Sequence, residues 1–265
     1  MNLTQSLQGE YLQLWQTCTI RPKRLATVDA LVDRLVAHKR RYTAAGSPHG
    51  VPWHVVGLIH LLEASGSFST HLHNGDPLTQ RTVHVPAGRP PGGTPPFTWE
   101  ESASDAVKLK LRGWTDWSIP GTLYLLERYN GFGYRSRGIH SPYLWSFSGH
   151  YSKGKYVRDG QYSPTAVSAQ CGAAVLLRRL AERGIVTFTG RTLATTTDPP
   201  PARRGPVLRY APRKETAEGR RLQELLNTFP GIALRVDGKL GERSSDAFKR
   251  ATGHYLRGDP RAKKT

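Results

Sequence analysis

The chain has 265 residues and a formal net charge of +18 at pH 7. This length allows one large domain, or a larger domain followed by a smaller one. The chain contains no run of about 18 apolar residues, so no membrane-spanning helix is predicted. The basic charge attracts polyanions, and nucleic acid, anionic wall polymers and acidic membrane surfaces satisfy the same electrostatics. Lys and Arg are spread along the whole chain, which favours a solvated basic surface over one binding arm.

The pattern of residues 1–194 is mostly helical. Apolar side chains at helical spacing predict helices over residues 27–42, 53–64, 98–111, 121–129 and 168–183. Pro52 precedes the second of these helices, where proline is favoured in a first turn. Thr98 and Glu101 have the spacing of a capping box at the start of the third helix.

Two segments between these helices have a different composition. Residues 68–96 are rich in Gly, Pro, His and Thr, with a predicted strand over 82–85 and a predicted tight turn at Asn74-Gly75-Asp76. Residues 130–164 are aromatic and glycine-rich, as expected of a surface that faces a ligand. The predicted fold class is therefore mainly α with a small β-hairpin region.

A proline-rich stretch over residues 195–213 predicts a semi-rigid linker. It separates a domain over 1–194 from a small module over 214–265. In the module, two apolar stripes at helical spacing flank a turn at 237–241; their members are Leu222, Leu225, Leu226 and Phe229, then Ala247, Phe248, Ala251 and Tyr255. We expect a compact unit of three helices.

The chain contains two cysteines, Cys18 and Cys171. Their spacing is not that of metal ligands. A bridge between them and a pair of free thiols both remain open, although a reducing cytoplasm keeps thiols free. His71 and His73 are two residues apart, but a metal site needs a third convergent ligand. We therefore expect hydrogen bonding from these histidines, to substrate or to the fold, and no metal or cofactor.

Glu63 is the strongest candidate for a catalytic group. It ends an apolar helix directly before a break at Ser65-Gly66, so its carboxyl is expected between a hydrophobic surface and a cleft. Partial desolvation raises a carboxyl pKa, as a general acid for glycoside cleavage requires. The alternative is a solvated glutamate at a helix end.

Glycoside hydrolysis commonly uses a second carboxylate. Asp76 is the preferred partner, with turn formation as its alternative role. Thr82 is a candidate for positioning water, or an ordinary strand residue. Glu100 and Glu101 are rival carboxylates, although glutamates in a first helical turn usually interact with the helix dipole.

The segments around Glu63 resemble the lysozyme-like superfamily, in particular phage and bacterial endolysins. The similarity lies in GLIHLLEAS around Glu63, in HLHNGDPLTQRT over 71–82 and in VPAGRP over 85–90. Tyr129-Asn130-Gly131 is similar to the Tyr-Asn-Gly element that lines the sugar cleft of goose-type lysozymes and lytic transglycosylases. The resemblance covers roughly residues 10–190. It implies a helical α+β domain with a β-hairpin beside the cleft and Glu63 as the acid.

The same resemblance carries the Glu–Asp–Thr pattern of phage-type lysozymes onto Glu63, Asp76 and Thr82, although the first gap is longer here. It also places His71, His73 and Asn74 beside substrate. The aromatic residues Tyr143, Trp145 and Tyr151 suit a glycan cleft because sugar rings pack on aromatic planes; ordinary packing is the alternative.

Residues 213–260 resemble the peptidoglycan-binding module of bacterial wall hydrolases. The matching residues lie in 222–227, 236–241 and 247–248, and Ser244 or Ser245 stands where the module usually has threonine. Two separate similarities to wall proteins in one chain strengthen each other.

The expected function is cleavage of the β-1,4 bond between N-acetylmuramic acid and N-acetylglucosamine, by hydrolysis or by a lytic transglycosylase reaction. A non-catalytic wall-binding protein is a further alternative. Peptidoglycan is the expected partner of a monomeric protein, and nucleic acid is disfavoured because no known binding signature occurs. Residues 1–15 lack a secretory-signal pattern. We expect synthesis in a cytoplasm and action on the wall, in the periplasm, after holin-type release or delivery by a secretion system.

Overall fold

The computed structural model describes residues 1–158, 160–188 and 208–263. The chain divides into two compact units, Met1–Leu180 and Ala181–Thr265. The helices up to this division are α1 (Gln5–Thr17), α2 (Leu25–Ala37), α3 (Lys39–Gly46), α4 (Trp53–Ala64), α5 (Trp99–Leu111), α6 (Ile119–Asn130), the single turn α7 (Pro142–Trp145) and α8 (Ala173–Glu182). One antiparallel hairpin pairs β1 (Lys155–Arg158) with β2 (Gln161–Ser163). The protein is mainly helical, as predicted.

Helices α4 and α5 form where the sequence predicts them. Thr98 caps α5 by accepting a hydrogen bond from the Glu101 amide, and the Glu101 carboxylate accepts one from the Thr98 amide, which completes the capping box. The single helix predicted over 27–42 is instead two helices, because the backbone leaves the helical region at His38. The break lets α3 turn and pack against both α4 and α5.

Helix α4 is apolar on nearly its whole circumference and lies in the core of the first unit. Gly57 allows the close approach of its neighbours, because a Cβ there would lie 2.8 Å from Leu35 and 3.1 Å from Tyr42. His60 is fully buried; its Nε2–H donates to the Ser67 carbonyl (2.8 Å) and its Nδ1 accepts from Tyr42 Oη (3.2 Å). Burial lowers the pKa of His60 to about 4, so the ring is neutral at pH 7.

A buried charged cluster ties α1 to α6. The Glu127 side chain is 3% exposed and accepts hydrogen bonds from Tyr11 Oη (2.5 Å) and Arg135 Nη2 (2.7 Å). Arg135 also donates to Glu10 on α1. Because the partners of Glu127 are a cation and a hydroxyl, the buried carboxylate is compensated, and the turn after α6 is held in place.

The predicted strand over 82–85 is wrong, since the described backbone there is irregular. The turn at Asn74-Gly75-Asp76 is present, with Gly75 at φ +84°, and an isolated bridge pairs Thr70 with Pro77. Among the described residues, the sheet is formed instead by β1 and β2, within the aromatic and glycine-rich segment over 130–164. The predicted helix over 168–183 begins only at Ala173. Cys18 and Cys171 are both buried, and they do not form a disulfide with each other.

The second unit contains α9 (Ala217–Leu226), α10 (Glu242–Thr252) and a 3-10 turn over Pro260–Lys263, in addition to the end of α8. Its core consists of Leu222, Leu226, Ile232, Leu234, Leu240, Ala247 and Leu256. Gln223 joins the two helices to the 237–241 turn: it donates to Asp237, Lys239 O and Ser244 at 3.0 Å each, and accepts from the Gly238 amide at 2.7 Å. Over the described residues 208–263, two α-helices and a 3-10 turn occur where three helices are predicted.

Residues 195–213 are predicted to form a linker. Residues 195–207 lie outside the described residues, and residues 208–213 contact the second unit. Leu208 and Tyr210 pack against the core of the second unit, and Ala211 forms a bridge with Leu240. Leu225 and Phe229, predicted on a buried stripe, are 57% and 40% exposed. In the part of the chain that the structure describes, every helix is too short or too polar to cross a membrane.

Candidate active site

Glu63 lies in the last turn of α4, where the chain leaves the helix sharply. Ser65 caps the helix with φ +50°, and Gly66 follows at φ +72°. Arg34 Nη2 donates to the Gly66 carbonyl at 2.7 Å, and His60 holds the Ser67 carbonyl. These contacts fix the position from which the Glu63 side chain projects.

Glu63 interacts electrostatically with Lys110, Tyr129 and Tyr143. Burial raises the pKa of Glu63, and the charge of Lys110 on α5 lowers it in part. Burial also raises the pKa of Tyr129 and of Tyr143, and the nearby Glu63 charge adds to both increases. Glu63 itself is exposed, so the carboxyl is partly desolvated yet accessible. We call these four residues the Glu63 cleft.

Two pockets adjoin the Glu63 cleft. The smaller has a volume of 160 Å³ and is lined by Lys110, Leu111, Leu125, Arg128 and Tyr129. Lys110 Nζ lies 4.4 Å from the centroid of the Tyr129 ring. The larger, which we call the tyrosine pocket, has a volume of 510 Å³ and is lined by Asn130, Gly131, Gly133, Tyr134, Tyr143, Tyr156, Val157, Arg158 and Gly160.

The Tyr-Asn-Gly segment connects these pockets at the end of α6. Gly131 has φ +83°, a conformation that strongly favours glycine, and it turns the chain out of the helix. Asn130 Nδ2 donates to the Leu126 carbonyl at 3.2 Å. The structure therefore brings together five residues that the sequence predicts for the site: Glu63, Tyr129, Asn130, Gly131 and Tyr143.

Asp76 has a different set of contacts. Its Oδ1 accepts a hydrogen bond from His84 Nδ1 (2.6 Å), and its Oδ2 accepts from the amides of Val83 (2.8 Å) and His84 (3.0 Å) and from Asn74 Nδ2 (3.1 Å). The hydrogen bond from the His84 side chain is the main reason that the pKa of Asp76 lies far below its usual range. The bonded amides also explain why residues 82–85 form no strand. This geometry favours a role in holding the loop.

Thr82, His71, His73 and Asn74 also stabilise the segment between α4 and α5. Thr82 is buried, accepting from the Arg89 amide and donating to the Pro86 carbonyl. The remaining contacts are His71 with Ser102 (2.7 Å) and Gln80 O (2.8 Å), His73 with Asp105 (2.9 Å), and Asn74 with His84 O (2.9 Å). Both ring nitrogens of His71 and the Nε2 of His73 therefore have partners in the fold.

Trp145 and Tyr151 belong to the core. They are 1% and 3% exposed, and Tyr151 Oη donates to Gly154 O and accepts from the Ser168 amide, both at 3.1 Å. Their burial favours ordinary packing, the alternative interpretation, over a face presented to a sugar.

Several residues of the site were missed by the sequence-based prediction. Lys110 lies on a predicted helix, and no local signal shows that its charge faces Glu63. Tyr134, Tyr156 and Arg158 lie in a segment predicted only as ligand-facing. The Asp-Gly pair at 159–160 is a hairpin-turn signal that would have located β1 and β2.

No group of three metal-binding side chains occurs among the described residues. The cleft combines an accessible acid, Glu63, with the Lys110 cation and the phenols of Tyr129 and Tyr143. No protein-family model, curated protein or solved structure matches the chain.

Proposed function

We propose that the chain is a glycosidase that cleaves peptidoglycan between N-acetylmuramic acid and N-acetylglucosamine, with Glu63 as the general acid. One observation carries the proposal: the Glu63 side chain is accessible while partial burial raises its pKa, and its electrostatic neighbours Tyr129 and Tyr143 each line a pocket. The similarity of the Glu63 and Tyr-Asn-Gly segments to lysozyme-like proteins supports the same function.

The proposed reaction begins with transfer of a proton from Glu63 to the glycosidic oxygen. The bond between that oxygen and the anomeric carbon breaks, and the leaving sugar departs with a hydroxyl group. A nucleophile attacks the oxocarbenium-like centre and gives its proton to the ionised Glu63. Partial burial keeps the pKa of Glu63 raised, so the carboxyl retains the proton that the first step needs.

The identity of the nucleophile separates two forms of the proposal. In a hydrolase it is water, whereas in a lytic transglycosylase it is the C6 hydroxyl of the muramic sugar. A lytic transglycosylase needs only one catalytic carboxyl. Both carboxylate oxygens of Asp76 already accept hydrogen bonds within the loop, and this favours the transglycosylase. Mass spectrometry of digested sacculi distinguishes the two: 1,6-anhydromuramic ends identify a transglycosylase, and reducing muramic ends identify a hydrolase.

We propose that the second unit attaches the enzyme to the wall, on the basis of its similarity to peptidoglycan-binding modules. Two other classes of function make different predictions. A wall-binding protein without catalytic activity would leave sacculi intact. A nucleic-acid-binding protein would bind DNA in preference to sacculi in a salt-dependent binding assay.

The charge of Lys110 allows the role of Glu63 as the acid to be tested through the pH dependence of activity. Because Lys110 lowers the pKa of Glu63, we expect Lys110→Met to raise that pKa. The acid must be protonated to act, so the alkaline limb of the pH–activity profile should move upward by roughly 0.5 pH unit. Lys108→Met removes the same charge from an exposed position on α5 and serves as the control. An equal shift in both variants, or none in either, would contradict a specific effect on Glu63.

A further inference from the structure

The tyrosine pocket is large enough to hold a ligand of its own. Its 510 Å³ lies within the range of about 300–1,000 Å³ that is typical of small-molecule sites. Three segments form its walls: the turn after α6, the single-turn helix α7, and the β1–β2 hairpin. Tyr143 lines this pocket and also interacts electrostatically with Glu63, which connects the pocket to the Glu63 cleft.

The walls of the pocket are fixed by contacts among its own residues. Tyr134 is 3% exposed, and its ring meets those of Tyr143 and Tyr156 edge-on, with centroids 5.9 and 5.2 Å away. Tyr134 Oη accepts a hydrogen bond from the Tyr156 amide at 3.0 Å, which holds β1 against the pocket. Arg137 Nε donates to Tyr156 Oη, also at 3.0 Å. A pocket organised in this way loses little conformational entropy on binding.

The lining combines aromatic rings with one cation. Aromatic planes pack on the C–H faces of sugars, as on other apolar surfaces. Arg158 lies on β1 at the edge of the pocket and is exposed. A guanidinium presents paired N–H groups that match the two oxygens of a carboxylate. This combination fits a sugar unit that carries a carboxylate better than a neutral sugar.

We propose that the tyrosine pocket is a subsite for the muramyl unit of the glycan, and that Arg158 selects it by binding a carboxylate. The carboxylate belongs to the lactyl group or to a peptide attached to it. The inference rests on the proposed function, because the lactyl group and the peptide attached to it are features of peptidoglycan. It adds a determinant of substrate specificity that acts apart from the chemical step.

The test is direct binding of three soluble probes to the full chain with Glu63→Gln, which removes the proposed acid. The probes are the disaccharide of N-acetylglucosamine and N-acetylmuramic acid, the same disaccharide with a dipeptide on the lactyl group, and neutral chitobiose. By calorimetric titration we expect at least one muramyl probe to bind about tenfold more tightly than chitobiose. If the disaccharide without peptide loses its preference in the Arg158→Gln variant, the carboxylate is that of the lactyl group. If the disaccharide with the dipeptide loses it, the carboxylate is that of the peptide.

Two further variants control for charge and for folding. Arg40→Gln removes an equal charge from an exposed position on α3 and should leave the preference intact. Arg158→Lys keeps the charge and should retain part of the preference. Equal affinity for all three probes, or a preference that survives in Arg158→Gln, overturns the inference.

The two proposals fail separately in this design. If the wild-type chain cleaves sacculi while its Glu63→Gln form shows no preference for muramyl probes, only the subsite is rejected. If the preference is present and depends on Arg158 while the wild-type chain leaves sacculi intact, cleavage is rejected and binding of the muramyl unit remains.

Discussion

We expect the Glu63→Gln variant to release soluble fragments from purified sacculi about 10²–10⁴-fold more slowly than the wild-type chain, the usual contribution of a positioned general acid. Glutamine keeps the size of the side chain but has no proton to give to the glycosidic oxygen. Glu63 is exposed, so the substitution should leave the melting temperature nearly unchanged. The measurement is the rate of fragment release, followed by chromatography and mass spectrometry.

Glu101→Gln is a matched control for this experiment. It makes the same chemical change at an exposed position in the first turn of α5, where a glutamine oxygen still accepts from the Thr98 amide. Wild-type rates in this variant would show that loss of a carboxylate alone does not reduce activity. If Glu63→Gln lysed walls as fast as Glu101→Gln, Glu63 would not be the acid and the glycosidase proposal would be rejected.

The raised pKa of Glu63 sets the direction of the pH dependence. A carboxyl whose pKa is raised remains protonated at higher pH than an ordinary glutamate, so activity should persist above the usual range of glutamate titration, near pH 4.3. The pKa is raised mainly by burial and only partly lowered by Lys110. The Lys110→Met variant should therefore extend the active range rather than narrow it.

The helices around the cleft could be predicted from local patterns. The capping box at Thr98 and Glu101 fixes the start of α5, and the apolar run before Ser65-Gly66 fixes α4 and hence the location of Glu63. The break at His38 could not be predicted in this way, because it depends on the packing of α3 against α4 and α5, contacts that hydrophobic periodicity does not contain.

The site was predictable where its residues belong to helix ends and unpredictable where loops determine it. Tyr129, Asn130 and Gly131 stay together because they end one helix. For Asp76, the Asn-Gly-Asp pattern indicates a turn but does not show which amides the carboxylate bonds. The burial of Trp145 depends on the packing of α7 against α6, which sequence spacing does not show. The Asp-Gly pair at 159–160 indicates the hairpin that carries Arg158, but not the pocket that the hairpin lines.

Asp76→Ala tests the difference between a loop-holding and a catalytic carboxylate. The substitution leaves the Val83 and His84 amides without their acceptor, and Asn74 Nδ2 keeps only its hydrogen bond to the His84 carbonyl. We expect the melting temperature to fall by roughly 2–6 °C, with a smaller loss of turnover than in Glu63→Gln. Because the pKa of Asp76 is lowered in the folded state, its stabilising effect is present at neutral pH and is lost as pH falls through that lowered value. The melting-temperature difference between wild type and variant should therefore shrink in strong acid.

Asp76→Asn completes the test, because an amide oxygen can still accept from the Val83 or His84 amide while the negative charge is gone. If Asp76 holds the loop, this variant should melt closer to wild type than Asp76→Ala and should keep most of its activity. A catalytic carboxylate would give the opposite pattern: wild-type melting with turnover about 10²–10⁴-fold lower. That result would restore Asp76 as the second catalytic group and favour hydrolysis over transglycosylation. Retained activity together with 1,6-anhydromuramic products would instead identify Glu63 as both the acid and the base.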